Sequence, residues 1–487
     1  MSLKTRDDYI KSLKKLRPNI YKFGELIEDV TSHPATKRTV ESHCRCYDAS
    51  HDPDFMEIYT TTSKFTGETI HRWNSMMQTS EELILNMKFK RQNYRRTGTC
   101  SGAVCVGWNA QNTMWAVTQD MDQELGTNYQ ARLKTWILRS QEEGLTVAGA
   151  LTDAKGDRSL KPSQQNDPDV NLRIKEIKED GIIIRGAKLM ICGVAASNEI
   201  FLLPGGIYRE DDKDFALACV VPRDIEGLTI IEATRPSDRR DLEDTAEGEV
   251  PNTGITQGLL LFEDVFVPNA RVFMCGETKY TAKIIQYFTA NYRACIGACV
   301  AGQGDVMVGA SVLMARANGL SAKTFSQKLV EMSINNQVTY GLGVGACAIG
   351  FKHPSGSFFA DPITAHTNKV MVATLPYETK RLTQEIGGGI VETGCMPSFV
   401  DFTNSEYGPL LQKYYKAGSA SAEARVRAAR LSEWLTIGGG VPGCMHGGGS
   451  PDGARLVVRL TTPFEEYVDY ARMLIGIEEE VAEPQKK

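Results

Sequence analysis

Basic charge is too scarce in this chain to build a field for nucleic acid. Its 55 Lys and Arg stand against 60 Asp and Glu, a net charge of −5, so no nucleic-acid partner is expected. The opening segment, MSLKTRDDYIKSLKKLRPNIY, lacks the apolar core of a signal peptide. The longest weakly polar run, residues 294–315, contains Gln303, Asp305 and many small residues. It predicts a buried helix, not a membrane span. There is no strand–GxGxxG–helix unit and no Walker A motif. The glycine runs at 387–389, 438–440 and 447–449 follow or separate helices and predict C-caps or tight turns. GLGVGA at 341–346 follows a helix instead of opening one, so it is not a dinucleotide fingerprint. Histidines number only seven, and none stands in a Ser–His–Asp pattern. Internal repeats and low-complexity tracts are missing too.

Cysteine is not scarce. There are 12, and without an export signal they predict a reducing cytoplasm. Two separated pairs stand out: Cys100 and Cys105 in TGTCSGAVCVG, and Cys295 and Cys299 in the helical segment NYRACIGACVAG. Such pairs suggest a metal or iron–sulfur site more than disulfides. Tyr292, Cys295 and Cys299 fall on one helical stripe. Two thiolates one turn apart can meet two from a loop around one cluster, for which four thiolates are the common set. Buried core cysteines are the competing reading.

Other candidates carry two readings each. Lys88, Lys90, Arg91, Arg95 and Arg96 form either a solvated helix face or a contact for the phosphate of a cofactor or CoA ester. Asp153, Lys155, Gly156, Asp157 and Arg158, in ALTDAKGDRSL, form either a charged surface turn or a loop holding a flavin and its phosphates. His446, in GCMHGGGSPDGAR, is either an acid–base group or a solvated loop histidine.

A length of 487 residues suggests about three domains. Texture places them at 1–144 (helical), 145–277 (β-rich) and 278–487 (helical). Thr79 or Ser80 caps the helix in TSEELILNMKFKRQ, and residues 120–143 read as continuing helix. GIIIRGAKLMICG, EIFLLPGG, DFALACVVPRD, GLTIIEAT and GLLLFEDVFVPN read as strands of a mainly antiparallel sheet or barrel. Helical periodicity returns after residue 278.

ALTDAKGDRSL, DGIIIRGAK, LFEDVFVPNARVFMCGE, the 292–299 helix and CMHGGGSP together resemble the 4-hydroxyphenylacetate 3-hydroxylase superfamily. Within it they look most like the 4-hydroxybutyryl-CoA dehydratases. The resemblance implies an α+β, acyl-CoA dehydrogenase-like fold, with helical domains flanking a central β-barrel domain. It also implies FAD bound between domains and subunits of a homotetramer. The flavin contacts would fall at Thr152, Lys155, Gly156, Asp157, Arg158 and Cys192, and more weakly at Gln384 and Gly388. The dehydratases add a 4Fe–4S cluster beside the flavin, held by three cysteines and one histidine. Those cysteines fall at Cys100, Cys105 (with one extra residue between the pair) and Cys299, and the histidine falls at Tyr292. The dehydratases' tyrosine, lysine and two glutamates fall at Ile296, Val300, Gly443 and Gly258, and a threonine beside the flavin falls at Cys192.

Most of the parent acid–base set is therefore replaced, while the scaffold and three cysteines remain. Proton removal from a weak carbon acid needs a positioned base, so altered chemistry is expected. Cys295 is the expected substitute ligand, giving a set of Cys100, Cys105, Cys295 and Cys299, with Cys192 and Cys444 as further thiols that could substitute, and with Tyr292 and His446 as catalytic candidates. The implied function is a FAD-dependent oxidoreductase or lyase with a 4Fe–4S cluster, acting on an acyl-CoA or related carboxylate derivative. The alternatives are a monooxygenase of phenols using reduced flavin, supplied by a flavin reductase or electron-transfer partner, and a catalytically degenerate flavin-binding paralogue.

Overall fold

The computed structural model describes residues 3–100, 102–234, 251–437 and 447–479. The N-terminal helices are α1 (Arg6–Lys14), α2 (Lys37–His51), α3 (Ser80–Thr97), α4 (Val106–Leu125) and α5 (Tyr129–Glu143). Thr79 caps α3, its side chain accepting from Glu82 N, and Gly98 ends it in the left-handed region at φ 70°. The expected continuous helix over 120–143 is broken. Gly126, at φ 69°, closes α4, and Tyr129 starts α5. Helix-forming side chains on either side do not override a left-handed glycine.

The β region holds two sheets. Strands β1 (Ile20–Lys22), β2 (Glu25–Leu26), β3 (Val147–Ala150), β4 (Arg173–Ile177), β5 (Gly181–Cys192), β6 (Glu199–Leu202), β7 (Leu217–Pro222), β8 (Leu228–Glu232), β9 (Gln257–Pro268) and β10 (Val272–Cys275) build them. One sheet runs β2-β1-β8-β9-β5-β4 and the other β10-β7-β6-β3. Most pairs are antiparallel, but β1–β8 and β3–β6 are parallel. Among the described residues the two sheets stay separate and form no closed barrel. The segment before residue 145 thus lends two short strands to the larger sheet. They were invisible as strands because three residues carry no readable alternation.

Leu228, Ile230, Leu260 and Phe262 point to the buried face of the larger sheet. They join Ile182, Ile184, Tyr9 and Tyr47 in the main core, where each such side chain contributes roughly 1.5–3 kcal/mol.

Beyond the sheets lie α6 (Thr281–Ala317), α7 (Ser326–Ala348), α8 (Pro362–Val372), α9 (Leu375–Gly387), α10 (Ala422–Thr436), α11 (Pro451–Thr461) and α12 (Phe464–Ile475). The architecture is α+β and acyl-CoA dehydrogenase-like. Helix α6 is its axis, packed against α3, α7, α8, α9 and α10. By length and composition it could cross a membrane, but 67% of its most apolar window is buried inside the protein.

GLGVGA lies inside α7 instead of after it. A Cβ on Gly343 would stand 2.5 Å from Met87 Cε, so this glycine serves close helix packing. The basic cluster also differs from a solvated face. Lys90 and Arg91 are buried, and Arg91 pairs with Asp305 at 2.8 Å.

Candidate functional site

Four segments meet at one end of the larger sheet: the loop after α3, the end of β5, the middle of α6, and the tail of the glycine-rich loop before α11. The loop carries Cys100 and Cys105. Gly98 turns the chain out of α3, and Gln303 of α6 holds the Gly98 carbonyl at 3.1 Å. A short 3-10 turn, Gly102–Val104, follows, and Cys105 stands at the N-terminus of α4. Ala103 N donates to His43 Nε2 at 3.1 Å, while His43 Nδ1 lies 2.7 Å from the Thr39 carbonyl. Burial pushes His43 down to about 4. It is therefore neutral, with Nδ1 donating and Nε2 accepting. It anchors the cysteine loop and cannot serve as a proton donor near neutral pH.

Cys192 ends β5. Its sulfur accepts a hydrogen bond from Gln257 Nε2 at 3.0 Å, and the two residues are paired across the β5–β9 ladder. The loop rests on this strand end. A Cβ on Gly102 would lie 2.7 Å from Cys192 Cβ, and one on Gly193 would lie 3.0 Å from Ala103 N.

Tyr292, on α6, faces these thiols. Its ring stacks on Phe288 with centroids 5.5 Å apart. Lys90 Nζ stands 5.7 Å from the Tyr292 centroid. Burial holds the Tyr292 phenol well above its ordinary value, reinforced by Cys105, Cys100, Cys192 and Cys299. Burial likewise holds the Cys100 thiol up, reinforced by Cys192, Cys105 and Cys299. The Cys192 thiol is raised by burial, against the Gln257 hydrogen bond, which lowers it. Burial opposes the charge on Lys90, but Cys105, Cys295 and Cys299 outweigh it, and the ammonium is held above its usual value.

The expected ligand set is thus only partly assembled. Cys100, Cys105 and Cys299 share one neighbourhood with Cys192. Cys295 is fully buried and its sulfur turns to Cys347 of α7. That hydrogen bond lowers the Cys295 thiol. The reason is angular. At 100° per residue, Cys299 lies about 20° from the direction of Tyr292, whereas Cys295 lies about 60° away. Among the described residues, no three His, Cys, Asp or Glu side chains gather tightly enough for one metal ion.

The positions that replaced the parent acid–base residues are apolar here. Ile296 and Val300 pack with Val372, flanked by Tyr292 and Tyr377. A Cβ on Gly258 would stand 2.5 Å from Val194 Cγ1, so that position has no room for a carboxylate. Strand alternation turns Gln257, not Gly258, toward Cys192. Gln257 and His43 escaped the sequence reading. The parity of β9 around Leu260 and Phe262 could have exposed Gln257, but nothing marks His43. Lys90 was noticed only as one of a basic cluster.

The 151–158 turn adjoins the same strand end. Thr152 O accepts from Leu189 N at 2.8 Å, and beneath it Lys188 Nζ pairs with Asp153 at 2.7 Å. Lys155 and Gly156 are both left-handed, at φ 70° and 51°. Lys155 and Arg158 are exposed, and Asp157 binds Ser159 of its own turn. Met190, at φ 58°, is 60% exposed beside Cys192. An exposed apolar side chain beside a cationic turn suits an apolar ring bearing phosphates. Gln384 and Gly388 sit apart from this turn, where Gly388 caps α9 at φ 74°. Cys444 and His446 lie outside the described residues. Gly448, in the same motif, closes on Tyr292, with a would-be Cβ 2.7 Å from its ring, and its carbonyl accepts from Arg293 Nε at 2.9 Å.

The family model for the 4-hydroxyphenylacetate 3-hydroxylase N terminal region matches residues 5–274, and that for the C terminal region matches 281–476. The chain is 34% identical over 491 residues to the 4-hydroxybutyryl-CoA dehydratase/vinylacetyl-CoA-Delta-isomerase of Clostridium aminobutyricum, covering 98% of this chain and 100% of that protein. It is 24% identical over 447 residues to the 4-hydroxyphenylacetate 3-monooxygenase oxygenase component of Thermus thermophilus, covering 90% and 89%. Among solved structures, an oxygen-tolerant archaeal 4-hydroxybutyryl-CoA dehydratase from N. maritimus matches with a TM-score of 0.95 and 33% identity, over 100% of this chain and 97% of that one. A 4-hydroxyphenylacetate 3-monooxygenase oxygenase component complexed with FAD matches at 0.82 and 21% identity, over 97% and 98%, a likeness of fold.

Proposed function

We propose, from the premise that this chain belongs to the 4-hydroxyphenylacetate 3-hydroxylase family along residues 5–274 and 281–476, that it is a FAD-dependent lyase or oxidoreductase. Its substrate is an acyl-CoA or related carboxylate derivative, and a 4Fe–4S cluster sits beside the flavin. The observation that carries this reading is the seating of the Cys100–Cys105 loop on Cys192 through Gly102, in a chain similar throughout to two dehydratases of 4-hydroxybutyryl-CoA.

The flavin would lie along Met190, Cys192 and the 151–158 turn, where Lys155 and Arg158 offer positive charge to its phosphates. Bound there, the flavin would supply one- or two-electron chemistry and the cluster an electron store or Lewis acid. The chain's own groups set the conditions. Lys90 places a buried positive charge beside Cys105 and Cys299. Ile296, Val300 and Val372 exclude water from the face of Tyr292. The Tyr292 phenol keeps its proton because ionisation in that site is opposed by burial and by the thiols. With Gly258, Ile296 and Val300 in place of the parent groups, the reaction is not the parent dehydration.

The assembly reading follows from surface chemistry. Helix α12 exposes Met473, Leu474 and Ile475, the second at 83%, and α11 exposes Leu460. Patches of this kind are covered in oligomers, in agreement with a homotetramer. Leu474→Asp should shift the mass in light scattering from tetramer toward smaller species. A monomeric wild type would refute the reading. The 12 cysteines support a reducing cytoplasm as the proposed setting.

The decisive experiment is anaerobic isolation, reconstitution with iron and sulfide, and spectroscopy. Flavin absorption with a broad iron–sulfur shoulder is expected, together with flavin spectral changes on adding CoA esters. A flavin-only spectrum after reconstitution would remove the cluster. Turnover of a phenol with supplied reduced FAD would instead favour the monooxygenase reading.

A further inference from the structure

We infer that Cys192 is the fourth thiol ligand of the cluster, with Cys100, Cys105 and Cys299, and that the Gln257 amide holds its sulfur in place. This rests on the cluster reading above and replaces Cys295 in it.

Cys295 is excluded by the packing of α6. It lies in the core against Cys347. Turning it toward the loop would require rotating a 37-residue helix. The face at Gly297 is packed too closely to admit a side chain turned onto it, since a Cβ there would stand 2.5 Å from Asn368 Nδ2. Cys299, one turn on, lies on the Tyr292 side without any rotation.

Cys192 is where the loop already is. Gly102, midway between Cys100 and Cys105, rests against the Cys192 Cβ and backbone. The loop is fixed from behind by His43 and from α6 by Gln303. Cys192 itself is fixed by the ladder and by Gln257 at 3.0 Å. Both partners are therefore set before any metal arrives, as a ligand site requires. Cys192 is only partly buried.

Chemistry separates Cys192 from Tyr292, the other group at the centre. Iron–sulfur clusters are held by thiolates, and a thiolate is a softer ligand than a phenolate. Tyr292 also faces all four sulfurs, as a wall of the site would. The Gln257 N–H donated to a ligating sulfur stabilises the more negative, reduced cluster and so raises its potential.

The test uses the full chain, isolated anaerobically and reconstituted with ferrous iron and sulfide. Wild type, Cys192→Ser, Cys295→Ala and Gln257→Leu are compared by iron and sulfide content, electron paramagnetic resonance and redox titration. Cys192→Ser should lose iron by at least the roughly tenfold that removing an outer partner of a metal site costs, or change its resonance spectrum. Cys295→Ala should keep wild-type iron and spectrum. Gln257→Leu should keep iron and lower the midpoint potential. A loaded wild type whose Cys192→Ser variant is unchanged, or whose Cys295→Ala variant alone loses iron, overturns the assignment and leaves the cluster standing. A wild type that takes up no iron overturns both. If Cys192→Ser does not fold, Gln257→Leu decides, since an unchanged potential there is evidence against Cys192.

Discussion

Replacing Gly102 with alanine tests the contact on which the site is built. The added methyl would lie 2.7 Å from both Cβ and the carbonyl carbon of Cys192. Carbon atoms in good contact stand about 3.5–4.0 Å apart, so something must move by about 1 Å. Cys192 cannot yield easily, because its strand is laddered to β9 at Gln257. The loop is held by His43 at Ala103. Overpacking of this kind costs about 1–3 kcal/mol. The upper half of that range is expected, because the struck atoms are backbone or adjoin it. Gly341→Ala is the control: it lies inside α7, and its new methyl meets nothing within 4 Å. Removing a helical glycine there should stabilise by about 0.5–1 kcal/mol. Urea unfolding of the two variants against wild type, compared at constant m, reads both effects. The loop variant should also retain less iron after reconstitution. Equal midpoints for Gly102→Ala and wild type would refute the claim that the cysteine loop is seated on Cys192.

Acid should unfold the protein partly through His43. Its value falls from 6.5 to about 4 because burial disfavours the cation, so stability is full above pH 6.5 and is lost as pH falls toward 4. The loss is about 3 kcal/mol. His43→Gln, which keeps an acceptor for Ala103 N, should flatten that limb in urea midpoints measured across pH, and an unchanged slope counts against the buried neutral ring. Asp153→Asn breaks the ion pair with Lys188, whose two side chains are 4% and 3% exposed. Stranding the ammonium should cost about 3–5 kcal/mol and lower the flavin-to-protein ratio, because the pair ties the 151–158 turn to β5. Asp157→Asn, fully exposed in the same turn, should leave the urea midpoint nearly unchanged.

Local features were legible from residues alone. The five apolar runs between residues 181 and 268 are strands because each is rich in branched side chains and bounded by Gly, Pro or Asp. Thr79 and Gly98 mark the ends of α3 by chemistry that acts within a few residues. The closeness of Cys100 and Cys105 followed from their five-residue spacing. The break at Gly126 was missed because a single glycine outvotes long helix formers only through its left-handed φ, which composition does not display. The strands at Ile20–Lys22 and Glu25–Leu26 were missed because the first exists only by pairing with β8, some 200 residues away, and the second only by pairing with the first.

The sequence by itself determined the kind of protein: no basic field, a helix–sheet–helix order, cysteines in two pairs, and motifs of a flavoenzyme family. The replacement of the parent acid–base residues is an expectation of the same resemblance, drawn motif by motif from the sequence. Only tertiary structure decided which sulfurs meet. Helical stripe arithmetic admitted Cys295 because three- and four-residue steps all count as one face. The roughly 60° that separates it from Tyr292 mattered only once α7 and Cys347 occupied that side. Cys192, more than 85 residues from either pair, entered the site because β5 happens to end beneath Gly102. Contacts across such separations depend on how layers stack, and no local pattern encodes them.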